Sequence, residues 1–378
     1  MGTLLRLFIL AILLGVLALG ALRLHFGGGG QNYANLTGEP LVEESGIQVA
    51  ASYPEPIGNV AVSGSGRLFF TLHPEARPPG PRLFEWRDGK AAPFPDPDIQ
   101  AAVLESPLGV VVDRQDRLWV IDPATHGFGR PRIVAIDIAT GLVVHEHTFP
   151  RDVAPRGSFL QDLQVDAAGR TVYIADTSFW RDSPALVVYD TATRRSRRLL
   201  EDHRSVRPQD WVIRTSTREM RFFGGIVPMK PGLDGIALEP SGQWLYFGAM
   251  ANDTLYRVPT AALRDPANGD SQIAELVEAV GRKPLSDGLS ADLLGNVYIT
   301  DVEHGAVLRM APGGALTTVV RTPRIRWADG LSFGPDGWLY VSDSALPQVL
   351  MRTRGQIGTA APFFIYRFRP GTAGIPGQ

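Results

Sequence analysis

From about residue 50 onward the chain repeats one composite unit six times. Each unit opens on a short apolar stretch and passes a Gly- or Asp-containing turn. It then continues in a strand that alternates aromatic and aliphatic residues. The openings fall at Gly58 (IGNVAV), Gly109 (LGVVVD), Leu163 (DLQVD), Gly235 (DGIALE), Gly288 (DGLSAD) and Gly330 (DGLSFG). The second strands read RLFFTL, RLWVID, TVYIAD, WLYFGA, NVYITD and WLYVSD, and third strands follow, from RLFEW to FFIYRF. One such unit leaves both faces of its small sheet uncovered. Six arranged radially cover one another, and a several-stranded period of about 40–50 residues is the mark of a propeller. The expected fold is all-β: a six-bladed β-propeller over residues 41–378. The stretch Val42 to Ala51 is expected to supply the strand that closes the last blade.

The repeat leaves the first forty residues outside it. Leu7 to Leu22 is an unbroken run of apolar or small residues between Arg6 and Arg23. Its length lies between a signal-peptide core and a spanning helix. Ala18-Leu19-Gly20 offers a small-x-small cleavage site, whereas Gly27 to Gly30 fits a flexible linker after an uncleaved anchor. Residues 1–26 are therefore expected to be a signal peptide or membrane anchor and 27–40 a linker. The propeller then lies outside the cytoplasm, periplasmic or secreted, touching membrane only through this segment.

Composition excludes several functions. There are no cysteines, so disulfides, thiolate metal sites and a cysteine nucleophile are ruled out. The net charge of −2 gives no overall attraction to nucleic acid. The basic run Arg194, Arg195, Arg197 and Arg198 reads as solvated surface in a turn. No GxSxG, HExxH, phosphate-cradling or dinucleotide-binding glycine motif is present.

The chemistry is expected at the mouth of the central channel. The residue before the opening Gly or Leu is a carboxylate in four units: Asp162, Asp234, Asp287 and Asp329. Like charges packed that closely raise one another's pKa unless a cation or hydrogen-bond donors compensate. Hard oxygen donors suit Ca²⁺ or Mg²⁺, and an Asp before a Gly also caps a turn. His304, beside Glu303, and His126 lie in loops near the same mouth. His145 and His147 share one strand face with no third ligand nearby. Asp122, Asp176, Asp301 and Asp343 close second strands and read as turn caps. An insertion, roughly Glu201 to Lys230, either packs on its own blade or forms a lid over the ring.

The segments PLGVVVDRQDRLWVID (107–122), FLQDLQVDAAGRTVYIAD (159–176), LDGIALEPSGQWLYFGAMANDTLYRVPTAAL (233–263) and SDGLSADLLGNVYITDVEHGAV (286–307) resemble the major royal jelly protein/yellow family, most of all its bacterial members. The resemblance implies an exported six-bladed propeller that binds a small molecule, in some members an amine, in its channel. A more distant likeness to the senescence-marker/gluconolactonase propellers implies a lactone hydrolase. Its metal is held by a Glu, two Asn and an Asp. The Asp matches Asp287, one Asn falls on Asp234 and the other on Gln161; the Glu falls near Ile57, with Glu55 one register away.

Three functions follow from these residues. The first is a small-molecule-binding propeller with Gln161, Asp162, Asp234, Asp329 and His304 as ligand contacts. The second is a metal-dependent hydrolase or isomerase with Asp287 as catalytic residue, Asp234 and Asp287 as metal ligands and Ca²⁺ or Mg²⁺ as cofactor. The third is a protein-interaction scaffold.

Overall fold

A computed structural model describes residues 2–27 and 29–378. Six four-stranded antiparallel sheets are arranged as blades around a central channel. The innermost strands are Ile57–Val62, Val110–Val112, Leu160–Val165, Leu233–Leu238, Leu289–Ala291 and Ala328–Phe333. Five of these six strands are buried along their whole length, and Leu160–Val165 is buried except at Gln161 and Asp162. The sixth blade is closed by Gln48–Tyr53, which pairs antiparallel with Phe363–Phe368. The closing strand thus begins later than the expected Val42, because Leu41 and Val42 instead bond along the outer strand of blade five through Thr318 and Val319.

The first five blades each carry a fourth, outermost strand that the repeat did not reveal, such as Val143–Thr148 and Arg195–Leu199. The basic run therefore starts in a turn at Arg194 and continues as an edge strand from Arg195. Arg198 is buried there, ion-paired with Asp176 at 2.5 Å and with Glu201 at 3.1 Å.

The opening glycines are explained by contacts between blades. A Cβ on Gly109 would collide with the carbonyl oxygen of Gln161, and one on Gly235 with that of Asp287. One on Gly288 would meet that of Asp329, and one on Gly330 the amide of Asn59. Each glycine lets the inner strand of the next blade approach closely, and Gly330 against Asn59 joins the last blade to the first.

The last residues fill the far end of the channel. Gln378 accepts from Phe333 N at 2.8 Å and from Ser290 Oγ at 3.0 Å, and its side chain donates to Val165 O at 3.2 Å. Gly377 O accepts from Val112 N at 3.0 Å. Inner strands of four blades thus bond to one short tail.

The apolar segment forms a helix, Gly2–His25, with no buried residue and a mean hydropathy of 2.6 over its most apolar 18 residues. It fits a signal or an anchor.

Candidate functional site

The ladder between first and second strands is interrupted by bulges at the mouth end of four blades, at Ile57/Val60, Leu160/Asp162, Leu233/Gly235 and Ala328/Leu331. A bulge leaves one residue unpaired and re-aims its side chain. In this way Gln161, Asp234 and Asp329 come to line one cavity together with Asp287. The cavity encloses about 140 Å³.

The carboxylates share that floor. Gln161 Nε2 donates to Asp234 Oδ1. Trp327 Nε1 donates to Asp287 Oδ2 at 2.7 Å. Asp234 Oδ2 and Asp329 Oδ2 are buried without a hydrogen-bond partner. Burial pushes Asp287 up to about 6. It pushes Asp162 up to about 7, with the nearby Asp287 charge adding to the rise. Burial and then the Asp287 charge hold Asp234 and Asp329 well above the usual carboxylate range. Lys283 is also fully buried, but it donates to Pro284 O at 3.1 Å and to Ser286 Oγ at 2.8 Å and pairs with none of these carboxylates. Burial lowers its ammonium to about 7 against the opposing pull of Asp234.

Two residues of this set had no sequence signal. His73 is buried with Nε2 3.8 Å from Asp329 Oδ2. Its Nδ1 accepts from Glu75 N at 3.2 Å, which leaves Nε2 to carry the hydrogen facing the carboxylate. Burial drops its pKa to about 4. Glu75 in turn meets His126 Nε2 at 2.7 Å, and the His126 ring stacks on Phe159 at 4.4 Å. Ala124, Thr125 and His126 all have positive φ, a conformation that costs non-glycine residues energy and needs outside support. Asp122 Oδ1 accepts from Ala124 N and Ser106 Oγ from Thr125 N, both at 2.8 Å.

The turn-capping role expected for the second-strand aspartates holds for Asp122, Asp301 and Asp343, whose carboxylates accept from Ala124 N, Glu303 N and Ala345 N, whereas Asp176 holds the start of its own inner strand and Arg198 instead. Asp176 Oδ1 accepts from Phe159 N at 2.8 Å, and Asp301 Oδ1 from Glu303 N at 3.0 Å. Asp343 Oδ1 accepts from Trp327 N at 2.9 Å, which seats the indole that bonds Asp287.

The insertion forms a roof. Phe222 and Met229 line the cavity beside Phe179, Trp180 and Leu350. The site therefore joins a carboxylate floor to an apolar and aromatic cover.

Other expected residues lie elsewhere. His304 does not line the cavity; its Nδ1 is held by Asp301 at 2.9 Å. Asp162 stands behind the wall, its Oδ1 accepting from Leu163 N at 3.0 Å, because Gln161 is the bulged residue. His145 is bonded to Tyr189 on an outer strand. Glu55 is committed to Arg354 at 2.6 Å, and Ile57 is fully buried, so neither brings a fourth oxygen to the floor. Among the described residues, no group of three or more His, Asp or Glu side chains converges as a metal site.

Residues 105–320, more than half of the chain, match the family model described as major royal jelly protein. The chain belongs to the major royal jelly protein family. Its relatives include major royal jelly protein 3 of Apis mellifera, 27% identical over 59% of this chain and 44% of that protein. They also include major royal jelly protein 2 of Apis mellifera, 26% identical over 48% and 41%. The chain thus matches under half the length of these relatives. A 6-deoxy-6-sulfogluconolactonase of Pseudomonas putida is 30% identical over 29% of this chain and 38% of its own length. Among solved structures, a luciferin-regenerating enzyme aligns with a TM-score of 0.56 at 10% identity, covering 88% of this chain and 97% of that one. The calcium-binding protein regucalcin of Agrobacterium tumefaciens aligns at 0.53 and 15%, covering 86% and 95%. At such identities the likeness is one of fold.

Proposed function

We propose that this royal jelly-type propeller binds a small amphipathic molecule at the channel mouth, with a cationic nitrogen on the Asp234/Asp287/Asp329 floor and an apolar body under Phe179, Trp180, Phe222 and Met229. The observation that carries this reading is the pair of partnerless buried oxygens, Asp234 Oδ2 and Asp329 Oδ2, facing an aromatic cover. Buried acceptors without donors are costly, and a donor brought by a ligand removes that cost. A cation would also hold the floor ionised, so binding should release protons and weaken as pH falls below about 6. Export of the propeller, with the helix as signal or anchor, is part of this reading.

The test is a melting series with 2-phenylethylamine against its neutral analogue 2-phenylethanol. The amine should raise the melting temperature and the alcohol should not. Equal shifts, or none, would defeat the proposal. Asp234→Asn should abolish the amine's effect.

A second reading is a metal-dependent lactone hydrolase with Asp287 as the catalytic carboxylate and Asp234 and Asp287 as ligands. The same two free oxygens favour it, and so does the partial likeness to a sulfogluconolactonase. Against it, one oxygen each of Asp234 and Asp287 is already taken by Gln161 and Trp327, and the position of the family's Glu is Ile57. A melting temperature unmoved by millimolar Ca²⁺ or Mg²⁺ would remove this reading. Nothing in the site favours the scaffold function.

A further inference from the structure

The apolar helix and the channel mouth are built as one piece. Phe26, the residue after the helix, stacks on Phe179 at 5.3 Å and meets Trp180 edge-on at 6.0 Å. Both partners belong to the cavity wall. Within the last helical turn, Arg23 donates to Ile226 O at 3.5 Å, and Leu22 packs on the cluster that contains Phe222 and Met229. The glycine stretch continues along the insertion: Lys230 donates to Gly27 O at 3.2 Å and Arg221 to Gly29 O at 3.1 Å. A Cβ on Gly30 would strike Val212. No spacer separates the helix from the rim.

We infer that the mouth face of the propeller docks on a lipid bilayer, so that the carboxylate floor looks toward the membrane. The helix has 24 residues, about 36 Å at 1.5 Å per residue, enough to cross the hydrocarbon core. Once it is inserted, the contacts of Leu22, Arg23 and Phe26 place the rim at the headgroup level. The rim suits that layer. It carries the aromatic rings of Phe26, Phe179 and Trp180, side chains characteristic of the interface. Phe128, Phe223 and Met351 stand exposed at 65%, 46% and 56% on loops at this same end. Exposed Arg23, Arg130 and Arg352 are in no ion pair among the described residues, and each guanidinium is matched to an anionic headgroup. The proposal does not depend on the identity of the channel ligand.

The lack of cysteine makes the test direct. Single cysteines at exposed positions Phe223→Cys and Met351→Cys report the mouth; Leu142→Cys and Leu294→Cys, in turns at the opposite end, report the far face. The full chain, nitroxide-labelled, is reconstituted into phosphatidylcholine vesicles containing phosphatidylglycerol. The ratio of collision rates with oxygen and with a water-soluble nickel chelate should be several-fold higher at 223 and 351 than at 142 and 294. Equal ratios at all four positions would overturn the inference. So would recovery of the expressed protein as a soluble chain lacking the helix.

Discussion

Trp327 donates its indole N–H to Asp287 Oδ2 at 2.7 Å across the boundary between blades five and six. Both side chains are buried, so the bond is the main donor offsetting the burial of that carboxyl. Trp327→Phe keeps the ring and removes the donor. It should cost about 1–3 kcal/mol in chemical denaturation and raise the Asp287 pKa above its present value.

The stability of the fold should depend on pH through the same carboxyl. Asp287 is raised to about 6 in the folded chain from 3.8. The folded state therefore binds more protons than the unfolded state between those values, and stability present below about 4 is lost as pH rises through about 6. Asp287→Asn stays neutral and still accepts from Trp327. Its melting temperature relative to the parent should climb between pH 4 and pH 8, by the equivalent of about 1–3 kcal/mol. A difference that does not vary with pH would contradict the buried, protonated floor.

Gly288 and Gly235 test the contact between blades. Alanine at either puts a methyl into the carbonyl of Asp329 or Asp287, and should destabilise the ring by about 2–4 kcal/mol. Gly64→Ala meets nothing within 4 Å and should change stability by less than about 0.5 kcal/mol. The comparison is read from urea midpoints.

Removing Gly377 and Gln378 takes away partners of Val112, Val165, Ser290 and Phe333. The truncated chain should melt several degrees lower, and hydrogen exchange should accelerate at the amides of Val112 and Phe333.

The blades were legible because their first three strands are buried and carry an unbroken apolar pattern. Their outermost strands were not. Val143–Thr148 alternates between half-buried and exposed positions and four of its six residues are polar, so although His145 and His147 placed it in a strand, nothing in it repeated from unit to unit. Asp234, Asp287 and Asp329 were visible through their place before a glycine. His73 was invisible, since a lone histidine before Pro74 carries no periodic signal and reaches the floor only through the loop that follows the second strand. Of the two neighbours expected at the mouth, Gln161 lines the cavity and Asp162 does not, because the bulge falls at Gln161 and sequence alone does not mark where a bulge falls. The tail Gly374 to Gln378 has the composition of a disordered end, yet its last two residues hydrogen-bond to the inner strands of four blades.

The pairing of Gln48 with Arg367 spans 319 residues. During synthesis the strand Gln48–Tyr53 emerges before every other strand of the propeller and its partner Phe363–Phe368 after all of them. Five blades are complete before the ring has any means of shutting. Until then the sixth blade lacks its edge, and the neighbouring sheet faces lie open to mispairing and to proteases. Vulnerability during manufacture is thus concentrated in one late event. Until Phe363–Phe368 is made, the growing propeller is an open crescent.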